Sequence, residues 1–401
     1  MHATQTAEPP HTAAHARRIR LIDDLAEIET IRATWEAAPV SRADAHIDFY
    51  LAFAASREEF VRPYVLLVER GDELEAMLVA RVEDVELPAK VGYRQIFSAR
   101  VRAITLVHGG VVGANEEIAP LLVRELSQSL ARGEADLVRL PALPVDSPLH
   151  RTALTMLPAY RRQPPSPPGV HRILELPATM QEFLGSRSKS TRESVKRYRK
   201  KLERDLGARL ELRAYEDPSD IDRIFADTEP VAVKTYQHGL GVALADTAEQ
   251  RALVEVGLEH GWFRAYVLYL DERAIAFWPG YAFRGTFFIG TPGYDPEYTE
   301  YRVGTYLQMR LTEHLCEDPA IHAVDYGFGD AEYKRRFGTR SWEESDVLAF
   351  AAAPRALAIH GARSTVVIAA NAARAVLGRV GLLARVKQGW RRRLATRQIS
   401  S

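Results

Sequence analysis

The stretch HAVDYGFGDAEYKRRFG, His322 to Gly338, decides how the chain is read. Its apolar opening predicts a strand, and Gly327 and Gly329 allow a sharp backbone turn where that strand ends. Asp325, Tyr326, Asp330, Tyr333 and Lys334 crowd this turn. Ligands of open α/β sheets bind at strand ends, so these carboxylates and phenols are expected to face a shared cleft. Taken singly, each has a plainer role: the aspartates cap turns, the tyrosines pack half-buried, and Lys334 to Arg336 stay solvated.

Immediately upstream, the strand GTFFIGT passes through GYDPEYTEY into Arg302, Val303, Gly304 and Thr305. An amphipathic helix follows, with Leu307, Leu311 and Leu315 at core spacing. The first turn of a helix has free N–H groups and the positive end of the helix dipole, and a glycine there lets a phosphate come close. Arg302 to Thr305 are therefore candidates for a pyrophosphate such as that of coenzyme A. One glycine at a helix start is also common in helices that bind nothing.

Further out, the order of elements repeats. In the second half IDRIFADTEPVAVKTY reads as a helix and FRAYVLYL and AIAFWPGYAF as a hairpin across Asp271-Glu272, ahead of the elements above. In the first half IETIRATWEAA reads as a helix, YVLLVER and ELEAMLVARVE as a hairpin across Gly71-Asp72, and IAPLLVRELSQSLA as an amphipathic helix before ADLVRLP. A tandem of two related α/β units with mixed sheets follows, the first carrying extra residues, VELPAKVGYRQIFSAR. Between them RRQPPSPPGV can sustain neither a helix nor an inner strand. The expected organisation is a tail over 1–17, a first unit over 18–160, a proline-rich linker over 161–170, a second unit over 171–352 and a basic, amphipathic helical tail over 353–401.

Composition narrows the function classes. The 401 residues exceed what one core usually serves, and 46% hydrophobic with 26% charged residues is ordinary for a soluble protein. Lys+Arg and Asp+Glu are equal at 53 each, so no global field draws the chain to nucleic acid or an anionic membrane. The single cysteine, Cys316, excludes an intramolecular disulfide and a thiolate-rich zinc site; no metal is expected, and a reducing cytoplasm is. The opening residues lack the apolar core of a signal peptide, and the longest uncharged C-terminal stretch, Ser364 to Ala373, is far below the ~20 residues of a membrane span.

Tyr294-Asp295-Pro296, then Gly304 with its helix, then Asp325-Tyr326-Gly327-Phe328-Gly329-Asp330-Ala331-Glu332-Tyr333-Lys334, stand in a fixed order. In that order the run from Gly293 to Trp342 resembles the C-terminal part of the cellulose-biosynthesis-type (CelD/BcsL-like) acetyltransferases of the GNAT superfamily. SKSTRESVKRYRKKLERDLGARLEL resembles the basic helix that opens that domain, and RAYVLYLDERAIAF its central hairpin. The coverage is about Met180 to Phe350. Arg302-Val303 depart from the Ser-Pro that family members often carry before the helix glycine, which alters the phosphate contacts or adds a charge to them. A wider group includes the Fem-type peptidyltransferases, which pair two GNAT-like units. This implies a degenerate first unit that shapes the cleft and a second that holds the donor.

The resemblance implies direct attack of an amine or hydroxyl on the thioester of acetyl-CoA or another acyl-CoA, which serves as co-substrate. Asp325 or Asp330 is then the candidate base, and Tyr326 or Tyr333 the donor to the leaving thiolate. Arg302, Val303, Gly304, Thr305 and Lys334 are candidates for the coenzyme. Lys234, Tyr236, Trp278 and Tyr294 are candidates for the acceptor, although packing is the plainer role of Tyr236 and Trp278. The expected acceptor is a sugar, a polysaccharide precursor or a related envelope metabolite. Two rivals stand beside this reading: a Fem-like transferase using aminoacyl-tRNA, and a non-catalytic accessory protein of a polysaccharide synthase.

Between Arg187 and Arg213 eleven basic residues face four acidic ones, a net of +7. Such a helix is usually a solvated face, and it would also suit the coenzyme's phosphates or an anionic carrier; without interleaved aromatics it does not read as a nucleic-acid site. After Asp346 ten basic residues and no acidic one remain, and Val376, Leu377, Val380, Leu383, Val386 and Trp390 fall near one helical face. This basic helix would either pack on its own domain or lie against an anionic membrane surface or a synthase.

Overall fold

Hairpins and the helices that cover them build the chain from its N-terminal side. The computed structural model describes residues 16–91, 94–164, 167–235, 237–238, 241, 243–329 and 331–379. The first half runs β1 (Arg17–Ile22), α1 (Leu25–Ile28), α2 (Arg32–Ala37), α3 (Ile47–Ser56), β2 (Phe60–Arg70), β3 (Glu73–Val91), β4 (Arg94–Val112), α4 (Ala119–Ala131), β5 (Leu137–Pro144) and α5 (Pro148–Met156). Tyr64 to Val68 are all buried because both faces of β2 are covered. Tyr64, Leu66 and Val68 join a cluster with α4 and α5, whereas Val65 and Leu67 join Trp35, Ile47 and Tyr50 on the other side. That explains an unbroken apolar run where a strand with one wet face would alternate. The extra residues of the first half simply lengthen the β3–β4 hairpin, which stays paired out to Val91↔Arg94.

The second half begins with β6 (Gly169–Glu175), α6 (Met180–Gly185), α7 (Lys189–Leu206), β7 (Leu210–Tyr215), α8 (Ile221–Ala232) and α9 (Ala248–Glu259). It continues with β8 (Phe263–Leu270), β9 (Arg273–Phe283), β10 (Thr286–Ile289), β11 (Gly293–Tyr294), α10 (Val303–Glu317), β12 (Ala323–Phe328), α11 (Glu332–Phe337), β13 (Arg340–Phe350) and α12 (Pro354–Arg379).

Among the described residues one thirteen-stranded mixed sheet joins both halves, in the order β1-β2-β3-β4-β5-β13-β6-β12-β10-β9-β8-β7, with β11 on β9. Each half contributes one parallel pair, β4 with β5 and β10 with β12, at equivalent places. The expected repeat of two α/β units is therefore present in the strand order. Its centre is reciprocal. The strand after β5, β6, leaves to pair with β12, and the strand after β12, β13, returns to pair with β5; β6 and β13 then pair with each other.

Prolines occupy the middle of the expected linker, but pairing resumes at its flanks. Arg162 bridges Ala349, the Gln163 N–H donates to Leu348 O at 2.9 Å, and β6 starts at Gly169. In the C-terminal region α12 lies on the first half, where Ala356 is buried and Ile359 packs against the same cluster as β13. The apolar face read from Val376 to Trp390 lies outside the residues and side chains that are described. No helix among the described residues is long and apolar enough to cross a membrane.

Candidate active site at the junction of the halves

β12 pairs with β10 only at Thr286↔Ala323, Phe287↔Val324 and Phe288↔Asp325. Beyond Phe288 and Asp325 the two parallel strands part: β10 leads into the 290s, while β12 keeps to β6. Strands that part leave backbone N–H and C=O groups free to bond an extended ligand. Asp325 stands at the point of parting. Immediately after it the β12–β6 register shifts by one residue, leaving Tyr326 as the extra residue of a bulge. Gly327 at φ +67° accommodates that bulge and donates its N–H to Asp325 Oδ1 at 2.6 Å.

Asp325 is 7% exposed and is held by side chains from two distant parts of the chain. His171 of β6 holds Oδ1 through Nε2 at 2.7 Å, and Arg42, 283 residues away, donates to Oδ2 at 3.3 Å. On the other side of His171, Nδ1 lies 3.0 Å from Glu344 Oε1, a charge contact poorly angled for a hydrogen bond. Trp342 Nε1 donates to that same Oε1 at 2.8 Å, and its ring stacks on the imidazole at 4.3 Å. Arg42 also lies over the Phe288 ring, 4.3 Å from its centroid.

Charge fixes the protonation of this array. Burial works against a charged imidazole, but the flanking carboxylates of Asp325 and Glu344 raise the His171 pKa to about 9. Burial likewise works against the Asp325 carboxylate, yet the bond from His171 and the charges of His171 and Arg42 hold it below its ordinary value. At neutral pH Asp325 is thus a carboxylate and His171 an imidazolium. Glu344 is 5% exposed, and its Oε2 has no hydrogen-bond partner among the described residues.

A cavity of about 650 Å³ opens beside these groups. Asp325, Glu344, His171, Trp342 and Phe288 form one wall, and Ser41, Arg42, His108, Pro141 and Leu143 of the first half form the other. Two aromatic rings, two carboxylates, a guanidinium and the His171 and His108 imidazoles among apolar residues suit a small acceptor with several polar groups.

On the other face of the second half, α10 starts from Arg302, which caps it in a left-handed conformation at φ +55°. Val303 is buried and anchors the first turn, Thr305 donates its N–H to Arg302 O at 2.9 Å, and the Tyr294 ring lies where a Cβ on Gly304 would meet it at 3.3 Å. The Arg302 guanidinium lies over Tyr198 of α7 at 5.2 Å. Between α6, α7 and α10 a second cavity of about 540 Å³ has apolar walls (Met180, Leu184, Val195, Met309) and a rim that includes Lys189, Arg192 and Lys196. The basic helix is therefore next to the α10 start and lends its positive charge to that region.

The remaining expected residues fall into distinct places. Tyr326 is buried on the face opposite Asp325, within 3.3 Å of Gln308 Nε2, and its ring meets Tyr333 edge-on; Tyr333 in turn meets Trp278. Neighbouring residues of a strand point to opposite faces, so Asp325 and Tyr326 do not share a cleft as expected. Trp278, 3% exposed, belongs to the same core cluster as Tyr326. Lys334 donates to Phe328 O at 2.7 Å, and burial lowers its pKa. Lys234 is paired with buried Asp295, and Tyr294 is exposed at the start of α10. Asp330 and Tyr236 lie outside the described residues. Arg42, His171, Trp342 and Glu344 were not legible as site residues. No signal in the sequence marked them: Trp342 and Glu344 reach Asp325 only because β13 pairs with β6.

Residues 189–335 match the family model described as an acetyltransferase (GNAT) domain. The second half therefore carries a GNAT acetyltransferase domain, which supports acyl transfer as the reaction class. No curated protein matches the chain. Among solved structures, a crystal structure of FemX superposes with a TM-score of 0.57 at 11% identity, covering 83% of this chain and 98% of that one. A putative lysylphosphatidylglycerol synthetase C-terminal domain from Agrobacterium fabrum gives 0.49 at 14% identity, covering 85% and 96%. A tandem GNAT protein from the clavulanic acid biosynthesis pathway gives 0.45 at 13%, covering 84% and 99%. At such identities the FemX likeness speaks of the fold alone, and the other two scores add nothing to it.

Proposed function

We propose that the chain transfers an acyl group from an acyl-CoA to an amine or hydroxyl of a sugar, a polysaccharide precursor or a related envelope metabolite, as the resemblance to the CelD/BcsL-like acetyltransferases implies. The observation that carries this reading is the position of Asp325, at the parting of β10 and β12 and in the wall of the cavity between the halves. A donor whose pyrophosphate lies on the first turn of α10 reaches that parting with its pantetheine amides on the free strand edges, and the acceptor occupies the cavity. Trp342 and Phe288 offer flat faces to a sugar ring.

Asp325, held ionised below its ordinary range, is a weak proton acceptor; its role is to orient the acceptor through a charged hydrogen bond. Glu344 Oε2, without a partner among the described residues, takes the hydrogen of the attacking group. The tetrahedral oxyanion is steadied by backbone N–H groups where the strands part; its collapse breaks the thioester C–S bond, and the departing CoA thiolate is protonated from solvent while Glu344 returns its proton to solvent.

Calorimetric titration with acetyl-CoA and longer acyl-CoAs, beside Gly304→Glu, tests the donor. The variant puts a carboxylate at the phosphate position and has only the exposed Tyr294 to displace. Binding in the wild type that the variant loses is the expected result. Failure to bind any acyl-CoA, with RNA retained by the purified protein, would move the reading to an aminoacyl-tRNA donor.

A further inference from the structure

Away from Asp325, the two halves meet a second time at the start of α3 and the end of α9. His46 is the residue before α3, Asp48 stands in its first turn, and His260 follows α9. Asp48 Oδ2 lies 3.0 Å from His260 Nε2 and 3.6 Å from His46 Nδ1, and the three groups' ligating atoms lie within 4.8 Å of one another. The other carboxylate oxygen, Oδ1, is occupied separately by Arg32 at 2.6 Å.

Both rings are held by one indole. Trp262 stacks on His260 at 4.2 Å and meets the edge of His46 at 4.7 Å. Two imidazole nitrogens thus converge on one carboxylate oxygen, while a guanidinium fixes the carboxylate from behind, as outer-shell partners of metal ligands do. A tetrahedral zinc ion with bonds of ~2.0–2.1 Å separates its ligand atoms by about 3.3 Å, close to both measured contacts.

The local charge also fits a dication. Arg32 is shared among Glu29, Glu36 and Asp48, so with neutral imidazoles the group carries two net negative charges. His46 Nδ1 accepts only a long bond, 3.4 Å, from the Asp48 N–H, which an ion would replace at little cost. The absence of paired cysteines excludes a thiolate site but does not bear on this donor set.

We propose that His46, Asp48 and His260 bind one zinc-like divalent ion, with a fourth position left for water, and that this ion ties the first half to the second. Arg42, which reaches Asp325, sits on the short connection that ends at His46, so the ion fixes the segment that carries it.

The test uses the full chain, stripped with a chelator, and titrated with Co²⁺ followed by visible absorption and with Zn²⁺ followed by calorimetry and thermal denaturation. One equivalent of Co²⁺ giving the strong visible bands of a four-coordinate ion, displaced by Zn²⁺, is expected, as is a rise in Tm with Zn²⁺ but not with Mg²⁺. His260→Ala removes a half-exposed ligand whose loss leaves the fold intact, and weakens binding at least about 100-fold; Arg32→Met, acting through Asp48, weakens it about 10-fold. Unchanged far-UV circular dichroism of the metal-free variants separates lost binding from lost folding. The proposal is overturned if no Co²⁺ bands appear, or if binding is unchanged in His260→Ala, which would place the ion elsewhere on the chain.

Discussion

Asp325 illustrates how little of a site a single residue reveals. Its type and its place before Gly327 mark it in the sequence, but the groups that set its charge come from elsewhere: His171 from β6, Arg42 from before α3, and, through His171, Glu344 from β13. Nothing local to those three residues sets them apart from other histidines, arginines and glutamates. Removing Asp325 leaves the buried His171 Nε2 without its hydrogen-bond partner, although His171 keeps Glu344 and Arg42 keeps Asp44, so Asp325→Ala should cost about 1–3 kcal/mol in chemical denaturation. Asp325→Asn retains the volume but removes the charge that orients the acceptor, and should lower kcat by about 100-fold while the protein stays folded. The His171 pKa, raised to about 9 from 6.5, adds a pH signature. The folded state holds this proton more tightly than the unfolded state. Its stabilisation is therefore complete below about pH 6.5 and is lost as pH rises through about 9. The depressed Asp325 works at the opposite end: its contribution is present above 3.8 and lost as pH falls below that value. Tm measured from pH 6 to 10 should fall in the wild type and lose that slope in His171→Gln. An equal slope in both would remove His171 from the account.

At the scale of elements, periodicity and turn chemistry were legible. The two hairpins across Gly71-Asp72 and Asp271-Glu272, the helix from Val303 and the strand ending at Phe328 all stand where the residue pattern places them. Strand alternation was the step missed, since Asp325 and Tyr326 face opposite sides of one sheet. The bulge after Asp325 makes a sharper prediction. A Cβ on Gly327 meets nothing nearer than Asp325 Oδ1 at 4.0 Å, so Gly327→Ala is strained by its φ of +67° and not by crowding. The expected loss is about 1–2 kcal/mol. Gly133, at φ +77° with open space around it, serves as a control: Gly133→Ala should cost a similar amount. Acyl transfer should fall in Gly327→Ala alone, because only that substitution disturbs the N–H bonded to Asp325. Equal activity in the two variants would show that the bulge does not position the carboxylate.

For the whole molecule, the consequence lies in the reciprocal strands. A proline-rich stretch in a chain of this length reads as a boundary because local composition reports only where backbone pairing stops. Which strand lies beside β5 or β12 is set by packing between distant residues, and no local pattern encodes it. In the structure β13 supplies Val347, Leu348, Ala349 and Phe350 to the core of the first half, while Leu174 of β6 lies in the core of the second. A fragment of residues 1–168 would lose all four β13 residues and bare the edge of β5. Loss of a fully buried phenylalanine alone costs about 3–5 kcal/mol, against a total domain stability of about 5–15 kcal/mol. The isolated first half should therefore fail to fold, and the intact chain should unfold in one cooperative transition seen alike by tryptophan fluorescence and far-UV circular dichroism. Fragments 1–168 and 169–401 produced together should recover a soluble complex, since β13 of the second fragment then pairs with β5 of the first. A sharp thermal transition in the isolated 1–168 fragment would mean instead that β13 only borders a unit already stable by itself. The cavity would then lie between two docked domains free to move, and no longer within one continuous sheet.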